Sequence, residues 1–598
     1  MNFKIQINHS TLLKLLLISS FLLFSIVTLF LSKYCSVGYN LSIYNNLPFP
    51  SLLLISLLIL IGIGITLEGY KNKDNIWKIG FLLIILCNFI VLLLPYLIGY
   101  TYSSNADHLT HIGFVKDILG TGNLNSYMDK NIYPFIHILA VELSLFTKLS
   151  IEKIAFFLGP LFYFLFLSYT YILSRKLTPN SKILTVVAGT VLFCYFFKEI
   201  FPMGFAFLTY PLIFYVYYNY RSKKNTSYAI LTLLLLLIMP FFHPIAAILL
   251  SFVLVVLEIG NFSMDIFLKN NQRNLSFTLI IFSLIIIMLW MWQTSWLWKT
   301  SVLNVFNFLN FDLLNQPFVN KANESFNKLG LNLPQIFELF VRTYGPIVLF
   351  SILSIITALK TIINRDFSSI KNRFIYLLSV VLFFCSVLWI SDYIHPLTQL
   401  SSGRLIWVVI PLFPIFVGIS LHKFINSKFM KNEKSKFILV FLIMGLSSLI
   451  ALFSIYPSPQ IYQFNTAVST SEIDGAKWII SNSNSTDSVI SIGYVPIFRY
   501  ENALNGTLMT NQNRADVNGI SDHFNYTKFN EIGEEYDKNK YIVLRQNFIL
   551  SVYTGIYKSI NRFNKEDFSK LEKDPTVSEI YEDGNMNILF IHQPNSTQ

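Results

Sequence analysis

Long apolar runs, recurring along most of the chain with short polar breaks between them, constrain this sequence more than anything else in it. They fall at about 11–32, 51–69, 78–100, 154–174, 183–200, 205–220, 228–242, 244–259, 276–292, 344–363, 374–391, 404–422 and 436–456. Most are near the ~20 residues that a helix needs to cross a bilayer. Charged residues make up 13% of the chain and hydrophobic ones 54%, with mean hydropathy +0.54, whereas a soluble domain carries about 25% charge. The expected class is therefore a polytopic α-helical membrane protein with about thirteen transmembrane helices. The pair 228–242 and 244–259 is short and reads as a helical hairpin that does not fully cross, which leaves the parity unchanged.

The net charge of +12 falls mostly between apolar runs, at Lys71, Lys73, Arg175, Lys176, Arg221, Lys223 and Lys224. This is the positive-inside pattern and not a soluble basic face, so no nucleic-acid partner is implied. With the N-terminus in the cytosol, the loops at 70–78, 175–182, 221–225, 260–275, 360–373 and 423–435 all face the cytosol, and the opposite loops are poor in Lys and Arg. The loop carrying Asp107, the loop 293–343 with Trp296 and Trp298, and everything after Tyr456 are then extracytoplasmic. The first run is too long for a signal-peptide core and reads as a retained span in a multi-pass cell-membrane protein. The four cysteines show neither a disulfide framework nor a metal spacing.

Two regions follow: a membrane region over 1–456, with an external loop and amphipathic helix at 101–135, and a soluble mixed α/β domain over 457–598. In the latter, Ser471–Ile480 reads as a capped helix. Ser488–Ile492 and Tyr541–Leu544 read as strands, and Glu579–Ile591 as strand, turn and strand.

Polar and ionisable residues at the outer ends of spans cost free energy unless solvated, paired or used. The first group is Asn105, Asp107, His108 and His111, on a helix expected over 108–119 that stops at Gly120 and Gly122. Asp107 and His111 stand at i and i+4, on one face, and the apolar face of this helix is expected to lie on the membrane. A carboxylate placed there serves as general base toward a hydroxyl or holds a divalent cation such as Mg or Mn. The spacing suits a capping Asp with interfacial histidines equally well. Tyr133 and Pro134, with His137 one turn further on, seat either a re-entrant helix or an ordinary helix start. His243 marks the outer tip of the short hairpin and faces either a polar cavity or the interface. Asp392 and His395 end a span, and Arg404 begins the next against the positive-inside trend. A guanidinium there binds a phosphate bidentately or snorkels to lipid headgroups. There is no Walker-type loop, no GxGxxG and no Cys/His box.

Taken together, Ala106-Asp107-His108, Tyr133-Pro134-Phe135-Ile136-His137, and Arg404 ahead of a span holding Pro411 and Pro414 resemble the GT-C superfamily of membrane glycosyltransferases. The resemblance covers the architecture of the whole chain. It implies transfer of a sugar from a polyprenyl-phosphate carrier to a glycan, lipid or protein acceptor on the outer face, usually with inversion. It also implies Asp107 as general base, with His108 and His111 beside it, and Arg404 on the donor phosphate. Tyr133, His137, His243, Asp392 and His395 would line the donor site. Two spans precede the one leading into the loop, where many members have the loop after the first, and 457–598 holds no Trp-Trp-Asp signature. The alternatives are a transporter or flippase for a lipid-linked glycan, which calls for buried charges in several spans and for repeats, and an O-antigen-type ligase or polymerase.

Overall fold

The computed structural model describes residues 9–31, 40–105, 107–124, 133–192, 199–223, 225–268, 281–282, 284–289, 330–394, 405–484, 487–491, 496–510, 519–584 and 586–593, with 9–16, 30, 49, 390–394 and 546–548 described in backbone alone. It is a mostly helical multi-pass membrane architecture with a small C-terminal sheet. Among the described residues, seven helices are long and apolar enough to span a bilayer: Pro50–Asn72, Ile151–Leu177, Pro244–Phe267, Leu333–Asn364, Ile370–Trp389, Ile406–Ile425 and Glu433–Ser454. His9–Leu31, Trp77–Leu92, Phe135–Thr147 and Thr226–Phe242 add further apolar helices.

Several runs depart from their expected extents, for local physical reasons. The run 78–100 stops as a helix at Leu92, and Leu94–Leu97 forms a separate turn containing Pro95, which has no N–H to continue the ladder. The carbonyls of Val91 and Leu92 left over at that end accept from the Tyr456 hydroxyl at 2.9 and 3.0 Å. In the run 183–200 the described residues are helical over Lys182–Gly189. Residues 205–220 divide into Pro202–Leu208 and Tyr210–Lys223, with the break at Thr209 just ahead of Pro211. The hairpin's second arm is no short piece, because Pro244–Phe267 is 24 residues long. The helix expected over 344–363 begins at Leu333 instead and runs 32 residues, roughly 48 Å at 1.5 Å per residue. Its first turns therefore project beyond a bilayer core.

The C-terminal sheet has the order β1-β2-β4-β3, with β1 Ser488–Ser491, β2 Lys540–Leu544, β3 Val577–Glu582 and β4 Asn587–Ile591. β1 and β2 are parallel and the other pairs antiparallel. The helix Thr470–Asn482 is capped by Ser469, not Ser471, in a reciprocal box with Glu472. The other oxygen of Glu472 accepts from Arg545 at 2.6 Å, both side chains being buried. That buried pair joins the helix start to the end of β2.

Three seams tie this region to the membrane helices. Thr101 N–H donates to Val468 O at 2.9 Å and Val468 N–H to Tyr102 O at 3.0 Å. The Asn465 amide donates to Asn40 O at 3.0 Å and the Tyr100 hydroxyl at 2.9 Å. The third seam is the closest. The loop helix Asp107–Thr121 packs against the helix Ile497–Asn505. At Gly113 there is no room for a side chain, since a Cβ would come 2.7 Å from Asn502 O. Four residues on, the buried Asp117 carboxylate accepts from Thr507 N–H and Thr507 Oγ1, both at 2.6 Å. Gly506 bends the chain around it at φ +91°, and a Cβ there would meet Asp117 Oδ1 at 2.0 Å.

This seam corrects the expectation that the loop helix rests on lipid. Leu109, Ile112 and Val115 are fully buried by protein, each contributing roughly 1.5–3 kcal/mol. Gly506→Ala is expected to cost about 1–3 kcal/mol, from left-handed strain and from displacing Asp117. It should lower the Tm of the detergent-purified protein and speed hydrogen exchange across 497–505. An unchanged Tm would contradict the account of this seam.

Candidate functional site

The loop helix starts at Asp107, where a carboxylate suits the positive end of the helix dipole. It ends at Gly122, whose φ of +62° is the usual helix stop. Its first turn forms one wall of a polar cavity of about 370 Å³. Ser104, Asn105, Asp107, His108 and His111 line it from the loop and Tyr133 from the next helix start. His243 lines it from the hairpin tip, and Glu199, Phe201 and Met203 from the segment beyond. His243 can reach it because it is both the C-cap of Thr226–Phe242 and the N-cap of Pro244–Phe267. Pro244 at the first helical position fixes that turn.

The aromatic groups form a column. The Tyr133 ring stacks on His243 at 5.0 Å between centroids and lies 5.8 Å from His111. His111 in turn stacks on His137 at 5.1 Å, with Nδ1 3.0 Å from His137 Nε2. One of these nitrogens donates and the other accepts. His108 is fixed differently. Its Nδ1 accepts from Ile200 N–H at 3.1 Å, so in the neutral ring Nε2 carries the proton, 3.4 Å from Ser103 Oγ. Burial pushes His108 down to about 3. Burial also pushes His111 down to about 4, with Arg499 lowering it further and Asp107 opposing. Both imidazoles are therefore neutral at pH 7, built for hydrogen bonding and not for carrying charge.

Asp107 differs from its neighbours in being 82% exposed at the cavity mouth. Its Oδ1 accepts from Arg499 at 2.6 Å, and the same guanidinium nitrogen donates to Thr110 Oγ1 at 2.9 Å. Asn502 donates to Thr110 as well, at 3.1 Å. An ion pair this open contributes roughly 0–1 kcal/mol. A substrate can displace it without breaking the fold.

Of the residues expected to form a site, Asp107, His108, His111, Tyr133 and His243 thus meet on one cavity, and His137 joins through His111. His395 and Arg404 lie outside the described residues, as does the Asp392 side chain. Arg499, Thr110, Asn502 and Glu199 were missed. Arg499 and Asp107 are 392 positions apart, and no local pattern announces such a pairing. Among the described residues no three His, Cys, Asp or Glu side chains gather as metal ligands.

No protein-family model and no curated protein matches the chain. Solved structures do. The chain is similar to ArnT from Cupriavidus metallidurans bound to undecaprenyl phosphate, with TM-score 0.46 and 12% identity, over 86% of this chain and 98% of that one. It is also similar to an oligosaccharyltransferase from Archaeoglobus fulgidus in complex with Zn and sulfate, with TM-score 0.45 and 12% identity, over 79% of this chain and 69% of that one. ArnT in the apo state gives TM-score 0.42 and 10% identity, over 86% and 97%.

The depressed His111 gives a pH dependence with a definite sign. Above pH 6.5 the ring is neutral in the folded and the unfolded chain alike. As pH falls from 6.5 toward about 4, only the unfolded chain takes the proton, and stability is lost across that window. At 1.36 kcal/mol per unit the loss is on the order of 3 kcal/mol. Tm measured from pH 7 to 4.5 should fall less steeply in His111→Gln than in the wild type. Parallel curves would contradict the depressed pKa.

Proposed function

We propose that this protein is a membrane glycosyltransferase that moves a sugar from a polyprenyl-phosphate carrier to an acceptor hydroxyl at the cavity mouth. The observation that carries the reading is the placement of Asp107. It is an accessible carboxylate at the mouth of a polar cavity whose inner walls are neutral histidines and a tyrosine. In this reading Asp107 takes the acceptor O–H proton as the acceptor oxygen attacks the anomeric carbon. The bond from that carbon to the carrier phosphate oxygen breaks, polyprenyl phosphate leaves, and configuration at carbon inverts.

His111 and His137 hold the loop helix against the Tyr133 side through their shared hydrogen bond. His108 fixes the first turn against Ile200. Tyr133 and His243 present an aromatic wall to the sugar. Arg499 aims Asp107 and gives way when the acceptor arrives, and Arg404 is proposed to hold the donor phosphate. The N-terminus is then cytosolic, residues 1–456 form the membrane domain, and 457–598 form an extracytoplasmic domain that supplies Arg499.

The test is transfer of a labelled sugar from a polyprenyl-phosphate-linked donor in membranes. Asp107→Asn should lower the rate roughly 10²–10⁴-fold, the usual loss for a general base, with unchanged expression and Tm. Wild-type turnover in that variant would overturn the assignment. Arg404→Ala should mainly raise the donor KM. Arg499→Ala should leave the donor KM unchanged and lower kcat, because Asp107 loses the partner that aims it.

A further inference from the structure

A second cavity lies at the opposite end of the bundle. The helix Pro244–Phe267 begins at His243, in the candidate site, and ends near Asp265, which pairs with Arg373 at 2.9 Å. Its 24 residues separate the two ends by roughly 36 Å. The distal cavity has a volume of about 290 Å³ and is formed where Ile151–Leu177, Leu333–Asn364 and Ile406–Ile425 end and Ile370–Ile394 begins. Asn180, Ser181, Asn364, Lys371 and Lys423 are among the polar groups lining it.

Several cations around this end of the bundle are engaged, and Lys360 lies close enough to Lys423 to act on it electrostatically. Arg373 is held by Asp265, and Arg221 lies 3.4 Å from the buried Glu258. Lys436 donates to the carbonyls of Ile425 and Ser427. Lys371 and Lys423 are the lysines that line the cavity, and neither side chain has an ion pair or hydrogen bond with a described residue. One acid, Asp366, also lines the cavity, and its oxygens are taken up by neutral donors and not by either lysine. Asp366 accepts from Ser368 N–H at 3.0 Å, Ser368 Oγ at 2.6 Å and Asn372 Nδ2 at 2.8 Å. Two ammonium groups beside amides and a hydroxyl, in a pocket between spans, make a receptor for a multiply charged oxyanion. The pocket lies where spanning helices end, and phosphate is the oxyanion that a lipid headgroup or the solution would bring there.

We propose that the cavity at the inner ends of these helices is a phosphate-binding site in which Lys371 and Lys423 hold the anion, supplied by a lipid headgroup or as free phosphate. The site stands on its own observations and does not depend on the sugar-transfer reading.

Full-length protein reconstituted in phosphatidylcholine nanodiscs, with and without a minor fraction of phosphatidylglycerol, provides the test. Retained lipid is counted by native mass spectrometry, and Tm is followed while inorganic phosphate is titrated. Wild type should retain phosphatidylglycerol about thirtyfold more tightly than K371A/K423A, from two lysines acting at a headgroup. K371R/K423R should restore most of that preference, and K428A, in an exposed neighbouring turn, should match wild type. If inorganic phosphate alone raises the Tm of wild type but not of K371A/K423A, the site is upheld with free phosphate as its ligand. Equal behaviour of wild type and K371A/K423A toward both probes would overturn the proposal. So would a loss of retention in K428A as large as in K371A/K423A.

Discussion

The contact on which the candidate site depends is the one between two short helices that are hundreds of residues apart in sequence. Asp107–Thr121 and Ile497–Asn505 meet at Gly113, where the absence of a side chain lets backbone approach backbone. A helix of 15 residues in an external loop would be marginal by itself. It becomes a fixed platform because one face sinks Leu109, Ile112 and Val115 into the bundle while another is gripped through Asp117, Thr110 and Asp107. The burial supplies most of the free energy, and the polar contacts set the register.

This arrangement separates rigidity from accessibility. His108, His111 and His137 are buried and hydrogen-bonded, so their rings cannot swing or charge at neutral pH. Asp107, on the same helix, faces solvent and is held only by an exposed ion pair. A carboxylate on a rigid base with a weak, exchangeable partner has a defined direction and a low cost of release.

The sequence made some of this legible and left some of it hidden. The membrane class, the start of the loop helix near Asp107, its stop at Gly122 though not at Gly120, the placing of His243 between two helices and four strand segments were all readable. Each rests on local chemistry: apolar run length, capping, or φ freedom. The breaks at Leu92 and Thr209 were not, because hydropathy stays high across them while Pro95 and Pro211 interrupt the hydrogen-bond ladder. The length of Leu333–Asn364 was hidden because its first turns leave the apolar pattern. Arg499 was hidden for a different reason. A guanidinium on a short amphipathic helix reads as surface until the fold brings it to Asp107, and one sequence carries no record of which distant residues meet.

The grip on Asp117 also bears on biosynthesis. Its oxygens are satisfied by Thr507, which the ribosome makes long after the loop helix has left the tunnel. Tyr456 is in the same position, since it completes the end of Trp77–Leu92 only once the last spanning helix has been made. The nascent chain thus carries its platform unfinished while the spans insert one by one. The rim of the cavity is fixed when the C-terminal segment docks, so a chain truncated before Thr507 would leave the buried Asp117 carboxylate without these donors.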